Sequence, residues 1–209
     1  MVRGKFLLAA FADLAQKSIR LPFVKRVVKS LDGRALVIGV DRLDYSKGIA
    51  ERLSVFERFL QRQLEWRGKV TCLQIAPKSR TEIPEYADIE QETGAAAGGI
   101  NGAYGEADWT PIRYVNRAYG HATLAGLYRA ARAALVAPLR DGMNLVAKEF
   151  VASQTPMIPA CSFCRVSLAQ RRNAKPRSWL IHMILKASRQ PLGRPFRCHS
   201  LSGASVMPR

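Results

Sequence analysis

Two stretches of the chain combine basic, acidic and glycine residues at spacings that suit a phosphorylated ligand. In the first, VDRLDYSKG, Arg42 and Lys47 lie five residues apart and Gly48 precedes a helical pattern. An arginine supplies a forked donor, a lysine a mobile point charge, and a helix N-terminus the positive end of a dipole. Together these groups could bind a diphosphate. The alternative, which the residue types leave open, is a solvated loop in which both cations pair with Asp41 and Asp44.

The second stretch, APLRDGMNLVAKEF, is a glycine-broken turn that leads into an apolar helical pattern. Gly142 lets the backbone turn tightly. The amides of Met143, Asn144 and Leu145 can then point at an anion. The carboxylate of Asp141 would accept hydrogen bonds from hydroxyl groups of the same ligand. The stretch therefore predicts a cradle for a ligand that carries both negative charge and hydroxyls.

Glu149 extends this second stretch along the predicted helix. It lies four residues beyond Leu145, hence on the same helical face, where its carboxylate could bind two hydroxyls of a ribose or a sugar. The alternative is that Asp141 caps the helix and Glu149 pairs with a surface cation. No G-x-G-x-x-G motif follows a predicted strand, so a nicotinamide dinucleotide is not indicated.

Alternating strand and helix patterns are expected to position both stretches. The predicted strands are RALVIGVD, KVTCLQIAP, IRYVN and AALVAPL. The predicted helices are IAERLSVFERFLQRQLEW, PEYADIEQETGAAAGGI, ATLAGLYRAARA and NLVAKEFVASQ. Repeated β-α units imply an α/β fold with a parallel sheet and helices on both faces. Ligands of such sheets bind beyond the carboxyl ends of the strands, where both stretches lie.

The charge of the chain is divided unevenly. The net charge is +17, yet all 16 acidic residues lie at or before Glu149, and residues 151–209 carry ten Lys and Arg without one acid. Such a tail would bind phosphate backbones in a salt-dependent way, so a non-catalytic basic protein that binds nucleic acid is the alternative function. The tail shows no basic helix with a clean face and no aromatic platform, which makes a nucleic-acid partner the weaker reading.

Cysteine usage and hydropathy exclude other classes. Cys161 and Cys164, with Cys198 and His199, are zinc-ligand types, but the adjacent second pair is too tightly spaced, so no metal site is predicted. No apolar run reaches the length of a membrane span. Four cysteines without a recognisable signal peptide argue against a disulfide framework. We therefore expect a cytoplasmic protein without membrane contact.

Four motifs together resemble the trehalose-6-phosphate synthase family, in order from about residue 12 to residue 154. They are VIGVDRLDYSKGIAERL, QIAPKSR, INGAYGEADWTPIRYVNR and APLRDGMNLVAKEFVASQ. The family is a retaining glucosyltransferase of two Rossmann-like domains, which moves glucose from UDP-glucose to glucose-6-phosphate in the cleft between them. The resemblance implies that this chain is the C-terminal, nucleotide-sugar-binding half, with a Rossmann-like parallel sheet.

The resemblance also assigns roles to the residues of the two stretches. It implies that Arg42 and Lys47 hold the donor diphosphate and stabilise the departing UDP, where charge develops in the transition state. Asp141 and the backbone amides of residues 142–145 would bind the glucose hydroxyls. These three side chains are the implied catalytic residues, and Glu149 is implied to bind the ribose.

Further contacts and partners follow from the same resemblance. Val146 and Tyr119 are implied to flank the uracil, and Arg80 in APKSR to reach the phosphate of the acceptor. The family needs no metal, no resident cofactor and no side-chain nucleophile, since a donor phosphate oxygen helps to deprotonate the incoming hydroxyl. UDP-glucose and glucose-6-phosphate are thus substrates, and a homo-oligomer is compatible with the full-length family enzyme.

The chain departs from the family pattern at both ends. Met1 lies only about 30 residues before the first predicted strand. We therefore expect the N-terminal domain, with most acceptor contacts, to be missing and the chain to be inactive alone. A partner role beside a full-length synthase is a further alternative.

The resemblance of the sequence to the family stops after Gln154. Reading Thr155 to Ala187 from a frame shifted by one base permits acidic, family-like text, which indicates a base lost near the Gln154 codon. The predicted domains are an incomplete nucleotide-sugar-binding domain at 1–154 and an out-of-frame, poorly ordered basic tail at 155–209. Within the tail, SWLIHMILK is predicted to tend toward a short helix.

Overall fold

Four of the six α-helices in the described residues follow the predicted pattern, whereas the two that precede the first strand were not predicted. The computed structural model describes residues 2–78, 84–136, 145–154 and 182–185, and within them the side chains other than those of 2–9, 84–86 and 182–185. The α-helices are α1 (Val2–Ser18), α2 (Pro22–Lys29), α3 (Ile49–Arg62), α4 (Pro84–Tyr104), α5 (His121–Ala130) and α6 (Leu145–Ser153). Two single 3-10 turns, Tyr45–Lys47 and Leu64–Trp66, flank α3.

The strands form one sheet with the order β3-β2-β1-β4-β5. They are β1 (Ala35–Val40), β2 (Val70–Ile75), β3 (Ile112–Val115), β4 (Ala133–Val136) and β5 (His182–Leu185). The first four are parallel, with Ala35 opposite Val70, Cys72 opposite Ile112 and Val37 opposite Ala133. The chain runs from β1 outward to β3 and then returns to the other side of β1. This order is that of a Rossmann-like sheet, and its topological switch point lies between β1 and β4.

Helices cover both faces of the sheet, which explains the apolar run of β1. Leu36, Ile38 and Val40 pack in a cluster that includes residues of α2, α5 and α6. Val37 points the other way, into a cluster with residues of α3 and α4. Because successive side chains of a strand alternate between faces, a strand buried on both faces needs apolar residues at nearly every position. The predicted α/β class and Rossmann-like arrangement are confirmed.

The strand β5 corrects one expectation. The segment SWLIHMILK was predicted to tend toward a short helix, but His182–Leu185 pairs antiparallel with β4, with Val136 opposite His182 and Ala133 opposite Leu185. The free N–H and C=O groups along the edge of β4 offer a hydrogen-bonding template that local propensity does not reveal. The rest of residues 155–209, including the predicted disorder, lies outside the described residues. Among the helices that the structure describes, none is long and apolar enough to cross a membrane.

Candidate functional site

The loop after β1 holds the first predicted basic pair. The Asp44 carboxylate accepts hydrogen bonds from the backbone N–H of Ser46 at 2.8 Å and from its hydroxyl at 2.7 Å. The amide of Lys47 donates to the carbonyl of Asp44 at 3.0 Å, which closes the 3-10 turn. Gly48 then adopts the left-handed conformation, with φ 58° and ψ 47°, and begins α3. Glycine is suited to this position because it adopts positive φ without a Cβ clash.

The charges of this loop lie close together. Partial burial acts to raise the pKa of Asp44, but the hydrogen bonds from Ser46 and the positive charges of Lys47 and Arg42 outweigh it. The pKa of Asp44 is therefore below its ordinary value. The Arg42 side chain is exposed, whereas that of Lys47 is partly buried. Two cations beside a helix N-terminus can receive an anion at this end of the sheet.

A short apolar anchor fixes the loop to the neighbouring strand. Leu43 is buried in a small cluster with Ile49 and Ala76. Its amide donates to the carbonyl of Pro77, just after β2, at 3.0 Å. The loop thus keeps its place between the sheet and α3 through a buried side chain and a backbone bond.

A buried polar network lies beneath the loop. Arg52 of α3 is fully buried and donates to the Asp41 carboxylate at 2.5 Å. The nitrogen bonded to Asp41 also donates to the carbonyl of Lys47 at 3.4 Å, and the other terminal nitrogen donates to Oε1 of Gln74 at 3.1 Å. Gly39 provides the space, because a Cβ there would overlap the side chain of Gln74. Asp41 is thus bonded to Arg52 of α3, a partner that the alternative pairing with Arg42 and Lys47 did not include.

This network was missed by the sequence analysis, although a signal exists. Arg52 interrupts the buried face of an amphipathic helix, directly beside Leu53. Gln74 and Gly39 likewise interrupt two largely apolar strands. A buried cation requires a partner, and these three breaks in the apolar pattern indicate where the partners lie.

The second predicted stretch is described only from the start of α6. Leu145 begins the helix, as predicted, and Val146 packs partly against the core cluster of α2, α5 and α6. Partial burial raises the pKa of the Glu149 carboxyl, and the positive charge of His121 acts against that rise. Glu149 is thus a half-buried acid on α6 that can accept hydrogen bonds from a ligand.

Tyr128 links the two halves of the site. Its side chain is fully buried on α5, and burial followed by the negative charges of Glu149 and Asp41 raises the pKa of its hydroxyl. The hydroxyl has no hydrogen-bond partner among the residues that the structure describes. The end of β1 and the inner face of α6 lie on the same side of the sheet, since Val40, Tyr128 and Phe150 pack in one core cluster.

The remaining predicted residues are distributed as follows. Tyr119 is partly buried, and its ring centroid lies 5.2 Å from that of Phe23. Its described contacts are thus with the core cluster of α2 and α5. The predicted residues that lie outside the described residues are Arg80, Asp141, Gly142, Met143 and Asn144. β4 ends at Val136, beside the carboxyl end of β1, and α6 begins at Leu145.

Known proteins share this arrangement. The chain is 53% identical over 151 residues to trehalose-6-phosphate synthase of Sinorhizobium fredii, an alignment that covers 72% of this chain and 32% of that protein. A crystal structure of an α,α-trehalose-phosphate synthase (UDP-forming) from Burkholderia xenovorans in complex with glucose-6-phosphate is 46% identical, with a TM-score of 0.70. It covers 71% of this chain and 33% of its own.

A second solved structure carries a nucleotide sugar. The E. coli protein described as bound with UDP-2-fluoro glucose is 40% identical, with a TM-score of 0.64 over 69% of this chain and 32% of its own. The chain therefore spans about a third of the length of these relatives. The model of glycosyltransferase family 20 matches residues 12–170, a range that continues past Gln154. Because this match covers most of the sequence, the chain belongs to glycosyltransferase family 20.

Proposed function

We propose that this chain forms the donor-binding half of a retaining glucosyltransferase, which transfers glucose from UDP-glucose to glucose-6-phosphate and yields trehalose-6-phosphate. The observation that carries the proposal is the loop after β1, where Arg42 and Lys47 lie around Asp44 beside the N-terminus of α3. This loop lies at the switch point of a Rossmann-like sheet, which is where such folds bind nucleotides. The ligands of the two solved relatives, glucose-6-phosphate and UDP-2-fluoro glucose, are of the same two substrate classes.

In this proposal the donor extends from the loop to α6. Arg42 and Lys47 bind the diphosphate, and the Glu149 carboxylate accepts hydrogen bonds from the ribose hydroxyls. The raised pKa of Glu149 supports such a role, because a half-buried carboxylate gains from hydroxyl donors that replace lost water. Val146 and Tyr119 are proposed to flank the uracil. Their partial burial against the core cluster favours a rigid wall at that place.

The remaining contacts of the proposal belong to the segments that lead into α4 and α6. Asp141, with the amides of Gly142, Met143, Asn144 and Leu145, is proposed to bind the glucose hydroxyls. Arg80 is proposed to reach the acceptor phosphate. The Leu145 start of α6 supports the first assignment, since it leaves the N-terminus of that helix on the side of the β4 carboxyl end.

The proposed reaction balances without a side-chain nucleophile. The acceptor hydroxyl oxygen forms a bond to C1 of glucose on the face that UDP leaves, and the bond from C1 to the phosphate oxygen breaks. The electron pair goes to the diphosphate, which also takes the hydroxyl proton. Arg42 and Lys47 stabilise the negative charge that develops on UDP, so they contribute electrostatically to the transition state. UDP-glucose is a substrate here, and the proposal includes no metal or resident cofactor.

The cytoplasmic location expected from the sequence belongs to the same proposal. It is supported by Cys72, a buried free cysteine, since free thiols are usual in reducing compartments. Association with further copies of the chain is not part of the proposal, because none of the contacts described above requires it.

Calorimetry with UDP tests the assignment. The wild-type chain is expected to bind UDP, and Arg42→Ala and Lys47→Ala should each weaken binding by about 1.5–3 kcal/mol, as for hydrogen bonds to charged groups. Arg58→Ala is a matched control, because it removes an exposed cation from the same helix-loop unit and should leave UDP affinity unchanged. Equal UDP affinity in the wild type and the double variant of Arg42 and Lys47 would remove the diphosphate assignment.

A further inference from the structure

The ion pair of Arg52 and Asp41 is buried beneath the loop, at a place where packing alone does not require charged residues. Arg52 is fully buried and Asp41 nearly so, and Arg52 also donates to Gln74 and to the carbonyl of Lys47. A buried ion pair rarely adds net stability over well-packed apolar residues of similar volume. Its presence at the carboxyl end of β1 therefore suggests a role in what binds there.

The position of Asp41 creates an electrostatic problem for an anion site. Asp41 directly precedes Arg42, and its N–H donates to the carbonyl of Ile75 at the end of β2. An uncompensated carboxylate at this place would repel a diphosphate, and the repulsion would be strong because the surroundings are largely protein rather than water. The guanidinium of Arg52 cancels that charge at 2.5 Å.

The same guanidinium holds the backbone of the basic loop. The carbonyl of Lys47 accepts from Arg52 at 3.4 Å, one residue before the left-handed Gly48. The amide of Arg52 in turn donates to the carbonyl of Gly48 at 3.1 Å. One residue of α3 is thereby bonded to both Lys47 and Gly48, where the loop joins the helix.

We propose that Arg52 is a positioning residue of the donor diphosphate site, which neutralises Asp41 and holds the loop through the carbonyl of Lys47. The inference rests on the proposed function, because it presupposes that a diphosphate binds at this loop. It assigns Arg52 no contact with the nucleotide. Its effect on UDP is exerted through Asp41 and the loop backbone.

The test compares UDP with uridine in three variants of the full chain. Arg52→Gln removes the positive charge of Arg52 from beside the Asp41 carboxylate, so UDP affinity should fall about 10-fold, an order of magnitude expected for one added charge near a diphosphate. Asp41→Asn removes the carboxylate and should keep or strengthen UDP binding. The double variant Asp41→Asn with Arg52→Gln should recover most of the loss. Uridine carries no phosphate, so its affinity should stay within about 2-fold throughout.

Each outcome decides the matter. Loss of UDP binding with recovery in the double variant, at constant uridine affinity, supports the inference. Equal losses for UDP and uridine, or no recovery, overturn it and leave Arg52 a structural residue only. If either single variant does not fold, the double variant decides, since UDP binding much weaker there than in the wild type, at constant uridine affinity, contradicts charge neutralisation. If the wild-type chain binds uridine but gains nothing from the diphosphate, the proposed function and this inference fail together.

Discussion

Substitution of Gly39 by alanine tests the buried network most sharply. A Cβ at this position of β1 would overlap Oε1 of Gln74 and lie 3.0 Å from a terminal nitrogen of Arg52. Both neighbours are fully buried, so neither side chain can move into solvent. The alanine therefore has to displace one member of the network.

The magnitude follows from the two ways in which the network can respond. If Gln74 stays, the core is overpacked, which costs about 1–3 kcal/mol. If Gln74 turns away, its hydrogen bond to the charged Arg52 at 3.1 Å is lost, which costs about 1.5–3 kcal/mol. Alanine also restricts the unfolded chain more than glycine does, which increases the free energy of unfolding by about 0.4–1 kcal/mol. We expect a net decrease in the free energy of unfolding of about 1–2 kcal/mol.

Urea unfolding followed by far-UV circular dichroism measures this difference, and a second background isolates its cause. In a Gln74→Ala chain the overlapping atom is absent, so Gly39→Ala should be neutral or slightly stabilising there. A loss of equal size in both backgrounds would refute the reasoning, since the cost would then not come from contact with Gln74.

Three other expectations follow from the same structure. Gly126→Ala should destabilise the fold by about 2 kcal/mol, because a Cβ there would lie 2.6 Å from the backbone oxygen of Ser18. In the control Gly98→Ala the new Cβ meets no atom within 4 Å, so this variant should stabilise α4 by up to about 1 kcal/mol. Urea unfolding measures both differences. Burial raises the pKa of Glu149, so the ionised carboxyl costs stability, and this cost appears as pH rises from its unfolded pKa of about 4.3 through the raised folded value. Glu149→Gln should therefore raise the unfolding midpoint at pH 7 but not below about pH 4, and an equal gain at both pH values would contradict the assignment. The 209-residue chain by itself should release no UDP from UDP-glucose in response to glucose-6-phosphate. Orienting an acceptor contributes up to about 7–11 kcal/mol to catalysis, and the described residues supply only the donor side. Acceptor-dependent UDP release in a coupled assay would disprove this.

The sequence predicts those parts of the fold that depend on local residue patterns. The apolar run of β1 and the helical spacing of Leu53, Phe56 and Leu60 correspond to a strand buried on both faces and a helix packed on one side. The strand β5 is different, because its conformation depends on pairing with β4, about 50 residues earlier in the chain. Local propensity carries no information on such a pairing.

The candidate site, like the fold, was predicted only where its residues lie close together in the sequence. The basic pair Arg42 and Lys47 was recognisable because both residues lie in one short loop. The network beneath it was not, since Arg52 bonds to Asp41 eleven positions away and to Gln74 twenty-two positions away, across two different strands. Only the folded sheet brings those residues together. The bond of Asp41 to α3 could therefore not be inferred from its sequence neighbours.

A crystal structure of the chain with UDP is the direct test of the proposed donor site, because it locates the nucleotide. We expect a diphosphate between the side chains of Arg42 and Lys47 and a ribose whose hydroxyls donate to the Glu149 carboxylate. Arg52 should remain bonded to Asp41 beneath the loop, without contact to the nucleotide. UDP bound at any place other than the carboxyl ends of β1 and β4 would contradict the account.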